Sequence, residues 1–134
     1  MQYMLDTNIC IYIIKNNPAP FLKKFKKFSP NDIGISSITF AELLYGVEKS
    51  QHSEKNREAL ELFVSPLEIF PFNDEAAFHY GILRTTLEKK GTPIGSLDLL
   101  IAAHAESLKL TLVTNNTKEF SRVPNLLVEN WTKE

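Results

Sequence analysis

The sequence predicts an α/β fold, with a short, mainly parallel central sheet covered by helices on both faces. Three observations lead there. Gln2–Asp6, Ile33–Ile35, Leu67–Phe72, Leu110–Thr114 and Leu126–Glu129 are short, largely apolar runs, as strands buried on both faces are. Helix start and stop signals fill the gaps between most of them, so strands alternate with helices. A chain of 134 residues, 43% of them hydrophobic, can bury a core without disulfide or metal staples, and residues 1–134 read as one domain.

In chain order, Gln2–Asp6 is a strand ending at Asp6. Asn8 or Thr7 caps Ile9–Ile14 as a helix stopped by Asn16-Asn17-Pro18. The β-branched run also suits a strand, since periodicity does not separate short apolar runs. Ala19–Phe28 places Phe21, Leu22, Phe25 and Phe28 at helical spacing, with lysines on the other faces. Ser29-Pro30-Asn31-Asp32 is a turn and Ile33–Ile35 a strand. Ser36 or Ser37 caps a helix to about Lys49. Ser53–Val64 is a helix ended before Pro66, and Leu67–Phe72 a strand. Asn73 or Asp74 caps a long helix to Lys90, closed by Gly91. Ser96 caps a helix to about Lys109. Leu110–Thr114 is a strand, Asn115–Phe120 a turn or short helix, and Leu126–Glu129 the last strand.

Three carboxylates stand alone in otherwise uncharged stretches. Asp6 is the only charge in Met1–Ile14, Glu42 in Ile33–Val47 and Asp98 in Gly91–Ala105. Acidic side chains are rarely buried without a partner, and an unpaired buried one is disfavoured or takes a proton. A divalent cation held by all three would compensate them together. In open parallel sheets, sites gather at the carboxyl ends of strands. Asp6 ends the first strand, Asn115 and Asn116 follow Leu110–Thr114, and Asp98 lies in a first helical turn, where the helix dipole favours an anion. The acids can thus converge on one rim.

The other chemistries fit poorly. A formal net charge of −1 gives no global basic field, so nucleic-acid binding would need a local patch. Cys10, the single cysteine, excludes a disulfide framework and a thiolate zinc site and suits a reducing cytoplasm. No signal segment, membrane span or repeat is expected. A dehalogenase-type phosphatase needs a second Asp where Asn8 stands. A receiver domain needs a mid-chain acceptor Asp where the chain reads Pro71-Phe72-Asn73. There is no Gly-rich phosphate loop, no Ser/His/Asp order and no zinc helix among His52, His79 and His104. Hard-metal chemistry remains. Oxygen ligands suit Mg²⁺ or Mn²⁺, and such ions activate water and stabilise the leaving oxygen in phosphodiester hydrolysis.

Four segments then carry a resemblance: Met4-Leu5-Asp6-Thr7-Asn8; Ser37-Ile38-Thr39-Phe40-Ala41-Glu42-Leu43 with Gly46; Ile94 through Ala105 around Asp98; and Leu112 through Phe120. In this order they resemble the PIN-domain ribonucleases, most closely the VapC toxins of bacterial VapBC toxin–antitoxin modules. The resemblance runs to Glu129-Asn130-Trp131. It implies a PIN-type α/β/α sandwich, Mg²⁺- or Mn²⁺-dependent cleavage of structured RNA such as transfer or ribosomal RNA, and arrest of translation. It puts Asp6, Glu42 and Asp98 on the metal-binding acids and Glu119 near the variable fourth acidic position, with Asn116 an amide where some relatives have Asp. Thr7, Asn8, Thr114 and Asn116 would orient the carboxylates. It also implies a cytoplasmic homodimer neutralised by a VapB-type antitoxin seated on Ile9–Ile14 and Phe40–Val47. Operator DNA would be reached only through the antitoxin. A non-catalytic RNA- or antitoxin-binding module and a DNA nuclease are the competing readings.

Other residues have a plain reading beside a functional one. Lys23, Lys24, Lys26 and Lys27 form either a solvated helix face or a phosphate-tracking RNA patch, to which Lys15 and Arg84 could add. His104 reads as a packing or hydrogen-bonded residue, Tyr45 as core in preference to a base-stacking platform, and Cys10 as a small buried apolar residue.

Overall fold

The computed structural model describes residues 2–29 and 32–132. Among them are five strands: β1 (Tyr3–Leu5), β2 (Ile33–Ser36), β3 (Glu68–Phe70), β4 (Thr111–Val113) and β5 (Val128–Glu129). The helices are α1 (Thr7–Asn16), α2 (Ala19–Phe25), α3 (Ser37–Glu48), α4 (Ser53–Val64), α5 (Asp74–Lys90), α6 (Ser96–Ser107) and α7 (Thr117–Phe120). The order expected from the sequence holds throughout. Pro30 and Asn31, at the centre of the expected turn, lie outside the described residues. The β-branched run after Asp6 is helix: α1 is ten residues long, ends with Asn17 in the left-handed region (φ 44) and stops before Pro18.

Two caps differ from the expectation. Asp6 caps α1 itself, in place of Thr7 or Asn8, because its extended backbone lets its Oδ1 accept from the Ile9 N–H at 2.7 Å. Gly95 occupies the N-cap of α6, and Ser96 is already helical. Ser36 and Asn73 cap α3 and α5 with their side chains, and Gly91 closes α5 at φ 70.

All strand pairings are parallel, in the order β3-β2-β1-β4-β5. The chain builds outward from β1 to β3, then returns through α5 and α6 to lay β4 on the other side of β1. That reversal is a topological switch point, where the carboxyl ends of neighbouring strands open a crevice. Successive residues face opposite layers. Leu5 and Val113 pack under α1, α2, α3 and α4 with Ile9, Ile13, Leu43 and Leu60, while Met4 and Leu112 pack under α5 and α6 with Leu83, Leu87 and Ile101.

Two close contacts fix this frame. A Cβ on Gly34 would stand 2.6 Å from the Glu68 carbonyl oxygen and 2.5 Å from the Phe70 ring, so β2 meets β3 only because residue 34 is glycine. Trp131 is buried, stacked on Phe28 (centroids 5.4 Å) and edge-on to Tyr3 (4.9 Å). Each such pair contributes about 0.5–1.5 kcal/mol beyond its burial. This cluster pins the segment after α2 beside Tyr3, at the start of β1 and away from Asp6. Among the described residues no helix is long and apolar enough to cross a membrane.

Candidate active site

Asp6 is buried, with 1% of its surface exposed, and both of its carboxylate oxygens are held. Oδ1 accepts from Ile9 N–H at 2.7 Å and Oδ2 from the Thr114 hydroxyl at 2.5 Å. Burial pushes its pKa up to about 6, against the lowering pull of those two donors. Thr114 follows β4, and its hydroxyl oxygen in turn accepts from Asn116 N–H at 2.9 Å. The Asn116 amide donates to Glu119 Oε2 at 2.9 Å, and Gly95 N–H donates to Glu119 Oε1 at 2.7 Å. A continuous relay of hydrogen bonds therefore runs from the start of α1 across the ends of β1 and β4 to the start of α6.

Asp98 projects from the first turn of α6 into this relay and hydrogen-bonds Glu119. Burial raises its pKa to about 6, helped by the Glu119 charge, that hydrogen bond and the Asp6 charge. Glu119 is held below its ordinary value, chiefly by the Gly95 N–H. Asp98 is thus the member of the pair that releases its proton at the higher pH.

Glu42 does not join this cluster. It lies one turn beyond Thr39 on α3, is partly exposed, and lines a groove of ≈ 450 Å³ with Thr7, Ile11, Lys15, Tyr45 and Lys49. Thr39 is buried and accepts from the Thr7 hydroxyl at 3.1 Å, which ties α3 to the residue after Asp6. The sequence made Glu42 look buried because its chain neighbours are apolar, but on a helix those neighbours face other directions. No three His, Cys, Asp or Glu side chains among the described residues are already placed to hold one ion. The donor set nevertheless suits a hard divalent cation. Asp6 and Asp98 are raised carboxyls with no cationic side chain paired to them among the described residues.

The comparisons with known proteins follow from this site. The PIN domain profile matches residues 3–126. This chain belongs to the PIN-domain family, among the VapC ribonucleases. It is 53% identical to Ribonuclease VapC2 of Rickettsia felis, over 99% of this chain and 100% of that one. It is 45% identical to the tRNA(fMet)-specific endonuclease VapC of Salmonella typhimurium, over 98% of each chain. A crystal structure of VapBC2 from Rickettsia felis bound to a DNA fragment from their promoter contains a chain that superposes with a TM-score of 0.93 at 52% identity, covering 98% of this chain and 99% of that one.

On this PIN fold the remaining expected residues fall as follows. Thr7, Thr114 and Asn116 make the contacts given above, whereas Asn8 is exposed and makes no side-chain hydrogen bond among the described residues. Among the described residues Lys23, Lys24, Lys26 and Lys27 make no ion pair with Asp6, Asp98 or Glu119. Lys24 lies over Trp131 at 5.7 Å and 3.9 Å from Glu129, the segment after α2 is pinned beside Tyr3 through Phe28, and Lys23, Lys26 and Lys27 are exposed. Arg84 is taken up by Glu88 and Tyr80. His104 is buried against Ser36, its Nδ1 2.8 Å from the hydroxyl, and burial lowers its pKa, as suits a neutral packing residue. Cys10 is fully buried. Tyr45 corrects the core reading: 61% of it is exposed, with the Lys49 ammonium 4.8 Å from its ring. The structure adds Gly95, Lys118 and Arg122 to the site. The only sequence signal for the last two was their nearness to Glu119.

Proposed function

We propose that the chain is the toxin of a toxin–antitoxin module, an endoribonuclease that requires Mg²⁺ or Mn²⁺, cuts structured RNA such as transfer RNA and thereby arrests translation. The observation that carries this reading is the buried Asp6 at the switch point, next to Asp98 and Glu119 with no cation paired to Asp6 or Asp98 among the described residues. Asp6 and Asp98, with Glu42 from across the crevice and Glu119 beside them, would hold the ion. When bound, a divalent ion polarises the phosphate, activates water and stabilises the leaving oxygen.

The protein's own groups do the positioning. Ile9 N–H and Thr114 occupy one lone pair on each Asp6 oxygen and leave the others free. Gly95 and Asn116 hold Glu119 beside Asp98, and a cation bound there would favour the ionised form of Asp98. The relative named as specific for tRNA(fMet) supports transfer RNA as the substrate class.

A VapB-type antitoxin would fill the groove between α1, α3 and α4, where Ile11, Ile14, Leu43 and Leu60 offer an apolar floor beside Glu42. Operator DNA would be bound through that partner, in keeping with the promoter-bound relative. A homodimer completes the reading, with Phe78 (68% exposed) and Ile82 (55%), one turn apart on α5, as apolar surface available to it.

The deciding experiment incubates partner-free protein with total cellular RNA under Mg²⁺, Mn²⁺ or chelator, beside Asp6→Asn. Discrete cuts that need metal and disappear in the variant are expected. A folded, metal-binding protein that cuts nothing would favour a binding module, and cuts confined to DNA would move the substrate class.

A further inference from the structure

We propose that Lys118 and Arg122 form a backbone-phosphate subsite flanking the acids, one that positions the RNA strand for the cut; this rests on the endoribonuclease reading. Both cations line an open cavity of ≈ 490 Å³ together with Asn116 and Glu119 of the relay and with Pro93, Ile94 and Gly95 of the loop before α6. They lie four residues apart, and the helical turn continues past α7 through Ser121 N–H to Thr117 O (2.9 Å) and Arg122 N–H to Glu119 O (3.1 Å). That spacing puts their side chains on one face.

Arg122 is held in place. One terminal N–H donates to the Pro93 carbonyl at 3.1 Å, and the planar guanidinium has other donors left for an anion. Lys118 is exposed and makes no ion pair among the described residues. The need for such a pair follows from charge. The acids repel a polyanion, the chain's net charge is −1, and a strand must meet fixed cations beside them to approach. The other basic groups are placed for different work. Lys15 and Lys49 edge the apolar groove, Lys49 rests over Tyr45, and Lys24 is taken up by Trp131 and Glu129.

The test measures binding of fluorescein-labelled transfer RNA to Asp6→Asn protein across a KCl series. It compares Lys118→Ala, Arg122→Ala and Arg122→Lys with Arg84→Ala, which removes the same charge from an ion pair with Glu88 that does not line this cavity. Steady-state cleavage and thermal melts of each substitution in active protein accompany it. Each Lys118 or Arg122 alanine variant should weaken binding and raise KM by ~3- to 10-fold, leave kcat within about twofold, and flatten the log–log salt slope by ~0.7. Arg122→Lys should keep the slope and Arg84→Ala should change nothing. If Arg122 only latches the loop at Pro93, its alanine variant will lower Tm and kcat while its slope matches Arg84→Ala, and the subsite is overturned. If the active protein cuts no RNA, the nuclease reading fails, while the binding slopes still decide the subsite.

Discussion

The two sides of the crevice are built differently. On one, Asp6, Thr114, Asn116, Glu119 and Gly95 are joined hydrogen bond to hydrogen bond, and Asp98 leans into that relay. On the other, Glu42 lines an apolar groove with exposed Tyr45 and Lys49, where the polar contacts are separate and local: Thr7 to Thr39, Ser50 to the Val47 carbonyl, and Asn56 to Ser50. The first side is preorganised before any ligand arrives. The second has no relay reaching the acids and leaves its apolar floor uncovered, the form of a surface completed by another molecule. A toxin that must be both competent and stoppable can thus separate the two tasks, with a rigid side for chemistry and an open side for restraint.

The sharpest way to break the rigid side is Asp6→Asn. Cleavage should fall by more than the ~10- to 100-fold typical of a residue that merely orients a ligand; quantitative assays on the cut RNA would show it, and retained activity would remove Asp6 from the machinery. The same variant carries a stability signature. Between the ordinary carboxyl value of 3.8 and about 6, the folded chain keeps a proton on Asp6 that the unfolded chain has released. Metal-free protein should therefore lose stability as pH rises through that window, by roughly 3 kcal/mol from Asp6. Asp98 acts in the same direction, and the lowered Glu119 opposes it. Melts in chelator should show Asp6→Asn flattening this slope and raising Tm at pH 7; an unchanged slope would contradict the burial argument.

Thr114→Val probes the relay one step away. It removes the donor to Asp6 and the acceptor for Asn116, so activity should drop ~10- to 100-fold and stability by about 1–3 kcal/mol. Activity matching the parent would show that the relay is dispensable. The smallest expected effect falls on the open side. Tyr45→Ala should weaken a cognate antitoxin peptide by about tenfold, as loss of an aromatic anchor does, with cleavage by free toxin unchanged. Titration calorimetry and the RNA assay together separate these outcomes, and equal losses in both would erase the division of labour.

The acids were legible to different degrees, for a physical reason. Asp6 was readable because a strand's neighbours share its burial, so an isolated charge beside Met4 and Leu5 had to be compensated. Glu42 was only half readable, because a helix turns its apolar neighbours away from it. Tyr45 misled in the same way. The strand–helix order was clear from apolar runs and caps, and α1 was settled as helix once Asp6 supplied its cap. The lysines of α2 were ambiguous because their position depends on Trp131, more than a hundred residues along the chain. Lys118 and Arg122 were hidden because the cavity they line forms only when the turn around α7 meets the loop before α6.

The hydrogen bond between Asp6 and Thr114 spans 108 residues of sequence. A chain emerging from the ribosome presents Asp6 long before the hydroxyl that holds its carboxylate, which arrives only after β4. Asn116 and Glu119 come later still. No nascent fragment that stops short of Glu119 carries the full relay, and a parallel pairing of β1 with β4 cannot form early by local contacts. Synthesis itself thereby keeps the blade sheathed: the ribosome must add the 108 residues from Asp6 to Thr114, and then Asn116 and Glu119, before the chain can carry the site.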